Sequence, residues 1–174
     1  MLNIEQLEQN IGYHFKDKTL LKKALTHTSY ANEHNEQSNE KLEFLGDAIL
    51  EFVTSKYLFK NYIHLKEGEM TKVRASVVCE ESLYKVALKH DFSDFLYLGK
   101  SEIINNGKTR PAILADSVEA VIAAIFIDGG IPIVEEFIIS NLKDSIEQAS
   151  KSVGMKDYKT VLQEKLQANR RSMY

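Results

Sequence analysis

Proline and glycine are scarce in this chain, which contains 2 prolines and 8 glycines in 174 residues. Because both residues interrupt regular secondary structure, their scarcity favours long helices over strands joined by frequent turns. The 44% hydrophobic and 27% charged residues are typical of a globular protein whose length suffices for one hydrophobic core. We therefore expect an all-α fold.

Cysteine and long apolar runs are also scarce. Cys79 is the single cysteine of the sequence, which excludes an internal disulfide and a cysteine-rich zinc site, and we predict that it is a small core residue. The longest apolar run, AVIAAIFI at residues 120–127, is far shorter than the ~20 residues that span a bilayer. The first ten residues lack the basic region of a secretory signal. We expect a cytoplasmic protein without a membrane partner.

A basic excess is missing as well, since the formal net charge is -3. Domains that bind nucleic acids usually carry clustered positive charge, which displaces counterions from the phosphates. The charge balance therefore argues mildly against such a partner, unless a bound divalent metal reverses the sign locally.

Apolar residues recur at helical spacing along most of the chain. Thr19 is the predicted N-cap of the second helix, and the stretches ANEHNEQSNE and GKSEIINNGKTRP are predicted loops. In the long helix from Glu40, we predict a core stripe that includes Ala48 and Phe52. The predicted helices cover about residues 3–10, a segment from 19, 40–62, segments from 67 and from 80, 112–129 and 132–149.

The last part of the chain is predicted to be separate from the main domain. The segment ASKSVGMK is small, polar and basic, which is typical of a linker. The following segment, DYKTVLQEKLQ, has the pattern of an amphipathic helix but is too short to form its own core. We therefore divide the chain into residues 1–148, a linker at 149–156 and a terminal segment at 157–174.

The stretch NEKLEFLGDAIL contains three acids within an apolar helix: Glu40, Glu43 and Asp47. At about 100° per residue they fall within an arc of roughly 60°, opposite the Leu45 and Phe52 face. From periodicity alone a solvated helix face is the ordinary explanation of this spacing, so these acids alone identify no site.

Asp116 and Glu119 are harder to explain as surface residues, because the helix that carries them is apolar on nearly every side. A buried carboxylate needs a cation nearby or takes up a proton. The cation could be an arginine or lysine, or a divalent metal shared with acids of a second helix. Oxygen-rich sites suit Mg²⁺ or Mn²⁺, and the scarcity of nearby histidine argues against zinc. Such sites most often hydrolyse phosphodiesters or pyrophosphates.

Three stretches resemble the hallmark motifs of the ribonuclease III family: ALTHTSYANE, NEKLEFLGDAIL and LADSVEAVIAAIFIDGG. They occur in the family's order and spacing within about residues 3–148. The resemblance implies a helical endonuclease domain that cleaves double-stranded RNA as a homodimer and leaves 5′ phosphates and short 3′ overhangs. It also implies a Mg²⁺ cofactor, for which Mn²⁺ can substitute, and a role in the processing of rRNA and mRNA.

The resemblance also assigns roles to individual residues. It implies that four acids bind the metal and carry catalysis: Glu43, Asp47, Asp116 and Glu119. Glu40 and Glu67 match accessory acids around the cleft, and Phe44 matches a dimer contact; without the family, Glu67 would be a solvated acid and Phe44 a core residue. His27 matches a family position but is predicted to be a hydrogen-bonded structural residue.

Four basic residues are the candidate contacts to the RNA backbone, since double-stranded RNA is recognised mainly through its phosphates and 2′-hydroxyls. Solvated surface charge explains each of them equally well. They are Lys72, Arg74, Lys108 and Arg110. The segment DYKTVLQEKLQ resembles the start of the double-stranded RNA binding domain that follows the nuclease domain in this family. Because the rest of that domain is missing, we expect weak, salt-sensitive RNA binding.

Two other functions fit parts of the pattern. An all-α nucleotide pyrophosphohydrolase also uses paired acidic motifs on helices that bind Mg²⁺, although its motifs lie closer together in sequence than Glu43 and Asp116. A catalytically weak or silent RNA-binding module on the same fold is the alternative without enzymatic activity. The His90–Asp91 pair resembles the core of a different phosphohydrolase site, but a loop or helix end explains it better.

Overall fold

The computed structural model describes residues 3–171, with side chains described at residues 3–155 and 158–168. Within these residues the predicted all-α fold is confirmed, and the only β-pairing is an isolated bridge between Thr26 and Tyr97. Short 3₁₀ turns cover Phe92–Asp94 and Gly107–Thr109. The α-helices are α1 (Ile4–Ile11), α2 (Lys18–Ala24), α3 (Thr28–His34), α4 (Glu40–Asn61), α5 (Glu67–Val77), α6 (Glu80–Lys89), α7 (Lys100–Ile104), α8 (Pro111–Gly129) and α9 (Ile131–Arg171).

Helix α8 lies at the centre of the molecule. Its alanine, valine and isoleucine side chains are buried on nearly every side, as the sequence predicts. It packs mainly against α4 and α6, and also against α2 and α9. Pro111 begins the helix and Gly129 is its last residue, in agreement with the predicted boundaries. A helix surrounded in this way can carry polar side chains only where a neighbouring helix leaves a cleft.

The start of α2 differs from the prediction. Asp17, and not Thr19, is the N-cap, because the Asp17 carboxylate accepts hydrogen bonds from the Thr19 backbone N–H at 3.0 Å and from the Thr19 hydroxyl at 2.6 Å. A carboxylate in this position also interacts favourably with the helix dipole. Thr19 therefore lies inside the helix.

Both predicted loops contain helix. Residues 31–34 belong to α3, which His27 caps. In the second loop, α7 and a 3₁₀ turn occupy residues 100–109. Tertiary hydrogen bonds hold this segment, since the Gly99 N–H donates to Ser29 Oγ at 2.9 Å and the Lys100 N–H donates to Glu33 Oε1 at 2.8 Å. Helices of this length depend on such contacts more than on local sequence.

Helix α9 runs without a break through residues 149–156, where we predicted a linker. Ser150 is buried and its hydroxyl donates to the Glu147 carbonyl, while Lys151 pairs with Glu147 at 3.0 Å. Val153 packs against the core, so the first part of this segment belongs to the helical body. The division of the chain into domains remains a prediction, and residues 172–174 of the terminal segment lie outside the described residues.

Three side chains predicted to be in the core lie at the surface. On α4, Ala48 is exposed and 54% of Phe52 is exposed. The buried stripe of α4 follows Leu42, Ile49 and Val53 instead, because these residues face α8 and its neighbours. Cys79 is an exposed free thiol at the start of α6.

The apolar character of α8 arises from burial in the protein core. No helix in the described part of the chain has both the length and the hydropathy required to cross a bilayer.

Candidate metal centre

The candidate site depends on a close approach between α4 and α8. At Gly46, an added Cβ atom would lie 1.8 Å from the backbone oxygen of Glu119, far inside van der Waals contact. Only glycine allows the two backbones to approach this closely. Sequence analysis did not single out Gly46, although a glycine inside a strong helical pattern often marks a packing contact.

Three of the four predicted metal-binding acids form a cluster. Carboxylate oxygens of Glu43, Asp116 and Glu119 all lie within 4.8 Å of one another, and the three side chains are half-buried. Asp47, one turn after Glu43, is exposed and lies close enough to Glu119 to share a proton with it. Acids that are distant in the sequence therefore meet on facing helices and present only hard oxygen donors, which suit a divalent cation.

Burial and mutual repulsion raise the pKa values of the clustered acids. Burial, together with repulsion from Asp47, Asp116 and Glu43, raises the pKa of Glu119 to about 8 from its ordinary value of 4.5. The pKa of Glu43 is also raised, first by burial and then by Asp116. Within the described side chains, no lysine or arginine forms an ion pair with any of the four acids. A structural ion pair is therefore not the explanation for the acids, and the arrangement is compatible with a protonated Glu119 or with a shared divalent metal.

Asp116 has two further neighbours. Burial raises its pKa most, the carboxylate of Glu80 in the first turn of α6 raises it further, and His27 lowers it. Glu80 was missed by the sequence analysis, because an acid in the first turn of a helix has the ordinary explanation of a dipole interaction.

His27 has the predicted structural role. Its Nδ1 atom accepts a hydrogen bond from the Ser29 backbone N–H at 3.2 Å and lies 2.8 Å from the Ser29 hydroxyl. It thereby caps α3 on the side of the cluster. His90 is equally engaged, since its two ring nitrogens bond to the Asn10 carbonyl and the Asn141 side chain. Neither nitrogen of His90 is free for a metal, which removes the support for a His90–Asp91 site.

The two accessory acids lie outside the cluster. Glu40 is exposed, accepts a hydrogen bond from the Ser38 hydroxyl and contributes to the raised pKa of Glu43. Glu67 is exposed on α5 and accepts a hydrogen bond from Thr71 at 2.9 Å. It lines a different feature, the α4–α5 groove, which has a volume of about 500 Å³. The groove is formed by Ser55, Leu58, Phe59, Glu67, Met70, Thr71 and Arg74.

Phe44 projects from α4 into solvent beside the metal cluster, with 81% of its surface exposed. Single exposed apolar side chains are common on protein surfaces, so this exposure excludes a core position without identifying a contact. The explanation as core packing is therefore wrong.

The four candidate RNA contacts differ in their surroundings. Lys72 and Lys108 are exposed and pair with no described side chain. Arg74 pairs with Glu51 at 2.9 Å and donates to Ser55 Oγ at 2.9 Å, while Arg110 pairs with Glu102 at 2.6 Å. The two arginines would therefore have to exchange a protein partner for a phosphate, and their contact with RNA remains a prediction.

Comparisons with known proteins identify the family. A family model described as Ribonuclease-III-like matches residues 17–146. The Ribonuclease 3 of Caldanaerobacter subterraneus is 50% identical over 164 residues, which cover 93% of this chain and 72% of that protein. The Ribonuclease 3 of Clostridium perfringens is 46% identical over 169 residues, which cover 97% of this chain and 71% of that protein.

Solved structures agree with these matches. The nuclease domain of ribonuclease III from Campylobacter jejuni is 40% identical, with a TM-score of 0.78, and covers 82% of this chain and 98% of its own. That structure is described in terms of flexibility in a region involved in dimer formation. The fold and the sequence thus define a helical endoribonuclease. The chain belongs to the ribonuclease III family, which acts on RNA and uses a divalent metal, and the pyrophosphohydrolase alternative is not favoured.

Proposed function

We propose that this endoribonuclease hydrolyses phosphodiester bonds of double-stranded RNA with Mg²⁺ held by Glu43, Asp47, Asp116 and Glu119, and leaves 5′ phosphates and short 3′ overhangs. The observation that supports it best is the meeting of three half-buried carboxylates, with Asp47 beside them, in the absence of a lysine or arginine partner among the described side chains. Mn²⁺ fits the same oxygen donors.

The position of each acid determines its proposed role in metal binding. Glu43, Asp116 and Glu119 supply carboxylate oxygens from two rigid helices, which keeps the donors fixed before the substrate arrives. Asp47 lies at the solvent-exposed edge, beside Glu119, where a substrate phosphate would enter. When bound, the divalent cation neutralises phosphate oxygens and lowers the pKa of a coordinated water.

We also propose that the protein acts as a homodimer through Phe44 and the α4–α5 groove. The exposed ring of one copy would insert into the groove of the other, where Leu58, Phe59 and Met70 provide an apolar lining. A two-fold arrangement would place one metal centre at each strand of a duplex. A staggered double cut would follow, which a single centre cannot make in one binding event.

The remaining expectations belong to the same proposal. Residues 1–148 would form the nuclease domain, and residues 157–174 would be the start of a double-stranded RNA binding domain. Cytoplasmic processing of rRNA and mRNA is the proposed role. Lys72, Arg74, Lys108 and Arg110 remain the proposed backbone contacts, and Glu40 and Glu67 the proposed accessory acids.

The direct test is a cleavage assay on duplex RNA with Mg²⁺ or with EDTA, for the unaltered protein, Glu119→Ala and Asp47→Asn. We expect metal-dependent cleavage by the unaltered protein and a loss of at least about 10²-fold in each variant, because each loses a metal ligand. Retained cleavage by Glu119→Ala would contradict the metal mechanism. Binding of duplex RNA without cleavage would instead indicate a silent module.

A further inference from the structure

A basic cavity lies on the side of the molecule formed by α2 and the end of α3. It has a volume of about 540 Å³, and we call it the α2–α3 cavity. None of its residues belongs to the metal cluster or to the α4–α5 groove. The cavity is lined by Thr19, Lys22, Lys23, Thr26, Asn35, Glu36 and Gln37.

The two lysines of this cavity are held in place by its other wall. Lys22 Nζ lies 3.2 Å from Glu36 Oε1 and 5.6 Å from the centre of the Tyr97 ring. Lys23 Nζ donates to Gln37 Oε1 at 2.6 Å. The hydrogen bond to Glu36 raises the pKa of Lys22, so its ammonium group stays charged. With two ammonium groups and one carboxylate, the lining of the cavity carries one excess positive charge.

Hydrogen bonds join the end of α2, which forms one wall of this cavity, to the helix that carries Glu43. The Asn39 side-chain amide donates to the Ala24 carbonyl at 3.0 Å, and the Asn39 backbone N–H donates to the Thr26 carbonyl at 2.9 Å. Asn39 is also the N-cap of α4, and its carbonyl accepts from the Glu43 N–H at 2.8 Å. The end of α2 is therefore joined through one buried residue to the helix that carries Glu43.

An RNA substrate bound at the acid cluster needs positive charge on the protein beside the cluster. An RNA strand whose scissile phosphate reaches the acid cluster brings neighbouring phosphates close to the same acidic surface of a chain with net charge -3. Affinity then depends on ammonium or guanidinium groups on the flanks of the cluster. Arg74, Arg110 and Lys22 each pair with a carboxylate, whereas the partner of Lys23 is an uncharged amide. Lys22 and Lys23 differ from the arginines in lining one cavity together.

We propose that the α2–α3 cavity binds a backbone phosphate of the RNA strand on the α2 flank of the metal centre, with Lys22 and Lys23 as the charged contacts. This inference rests on the proposed cleavage of duplex RNA. The contact is to the phosphate and not to a base, so it adds affinity without sequence preference.

The test compares two double variants of equal charge change. Lys22→Gln with Lys23→Gln alters the cavity, and Lys89→Gln with Lys143→Gln removes two exposed lysines that do not line it. Binding of a duplex RNA is measured in EDTA, where no cleavage occurs, at several KCl concentrations. We expect about tenfold weaker binding in the cavity variant, with a salt slope smaller by about 1 to 2, and a much smaller change in the control.

A second variant, which increases the positive charge of the cavity, completes the test. Glu36→Gln removes the carboxylate that partly neutralises Lys22, so we expect binding to tighten severalfold and the salt slope to steepen. In Mg²⁺, the cavity double variant should raise KM and leave kcat unchanged. Equal losses in the two double variants, or no gain from Glu36→Gln, would overturn the inference. If the unaltered protein failed to cleave duplex RNA in Mg²⁺, the proposed function would fail instead.

Discussion

Among single residues, Glu119 has the most strongly raised carboxylate pKa described in this structure. Its carboxylate is half-buried and repelled by three other acids, which raises its pKa to about 8. Without a cation, the folded protein therefore holds a proton on Glu119 that the unfolded chain releases at a much lower pH. A site of this kind stores unfavourable electrostatic energy that a divalent ion would relieve.

This gives a prediction for the metal-free protein. Because the folded state binds more protons than the unfolded state between about pH 4.5 and about pH 8, the free energy of unfolding should fall as the pH rises through this range. After allowance for solvent screening, the loss is on the order of 1–2 kcal/mol. Urea unfolding in EDTA at several pH values measures it.

Glu119→Gln should remove most of this pH dependence, because glutamine does not titrate. Glu136→Gln, an exposed acid on α9, is the matched control and should leave the dependence unchanged. Identical pH profiles for the unaltered protein and Glu119→Gln would show that Glu119 is not the group responsible.

The sequence identified acids that the fold brings together, but it did not identify residues whose role depends on a neighbour. Asp116 and Glu119 stand out because they interrupt an apolar helix. Gly46 and Glu80 do not, since the contact of Gly46 with the Glu119 backbone and the proximity of Glu80 to Asp116 exist only after folding. Phe52 was predicted to be buried because periodicity identifies an apolar stripe but not the neighbour that would cover it.

For secondary-structure elements, the packing of α4 on α8 determines the spacing of the acids. Gly46→Ala should force the helices apart, because its methyl group would meet the Glu119 carbonyl. We expect a destabilisation of about 2–3 kcal/mol and a loss of metal affinity. Chemical denaturation and metal titration measure the two effects.

Gly68→Ala is the matched control. Gly68 lies in the first turn of α5, and an added Cβ would meet no atom within 4 Å. Alanine there should stabilise the protein slightly, by roughly 0.5 kcal/mol, because it restricts the unfolded chain. If the Gly46→Ala protein were as stable as the Gly68→Ala protein, the close approach of the α4 and α8 backbones at Gly46 would be ruled out.

The long helices α4 and α8 were predictable from periodicity and from glycine and proline at their ends. The short helices α3 and α7 were not, because tertiary bonds such as Gly99 to Ser29 hold them. The continuity of α9 was missed for a related reason. The composition of residues 149–156 is typical of a linker, but Ser150 and Val153 pack against the body of the protein.

For the whole molecule, the prediction concerns assembly. Phe44→Ala removes the exposed ring that would enter the α4–α5 groove of a second copy. We therefore expect the free energy of dimerisation to become less favourable by about 2 kcal/mol or more, which is the scale of an interface hot spot. Sedimentation velocity over a range of concentrations measures this. Leu88→Ala, an exposed apolar residue on α6, is the control. An unchanged dimer in Phe44→Ala would contradict the proposed contact.

The family and the helical fold were recognisable from three motifs, but the way in which copies associate is not contained in a single chain. The exposure of Phe44 and the α4–α5 groove, on which the proposed contact depends, become visible only in the folded monomer. The candidate RNA contacts are equally difficult to judge from sequence, since the ion pairs of Arg74 and Arg110 arise from tertiary structure.

The central claim is that acids from α4 and α8 hold one divalent cation. Anomalous diffraction from crystals soaked in Mn²⁺ tests it most directly. We predict a strong peak bound by carboxylate oxygens of the acid cluster, with Glu43, Asp116 and Glu119 at its centre and Asp47 at its exposed edge, and no peak there in Glu119→Ala crystals. A cluster without manganese, in crystals of a protein that cleaves RNA only with added metal, would contradict the account.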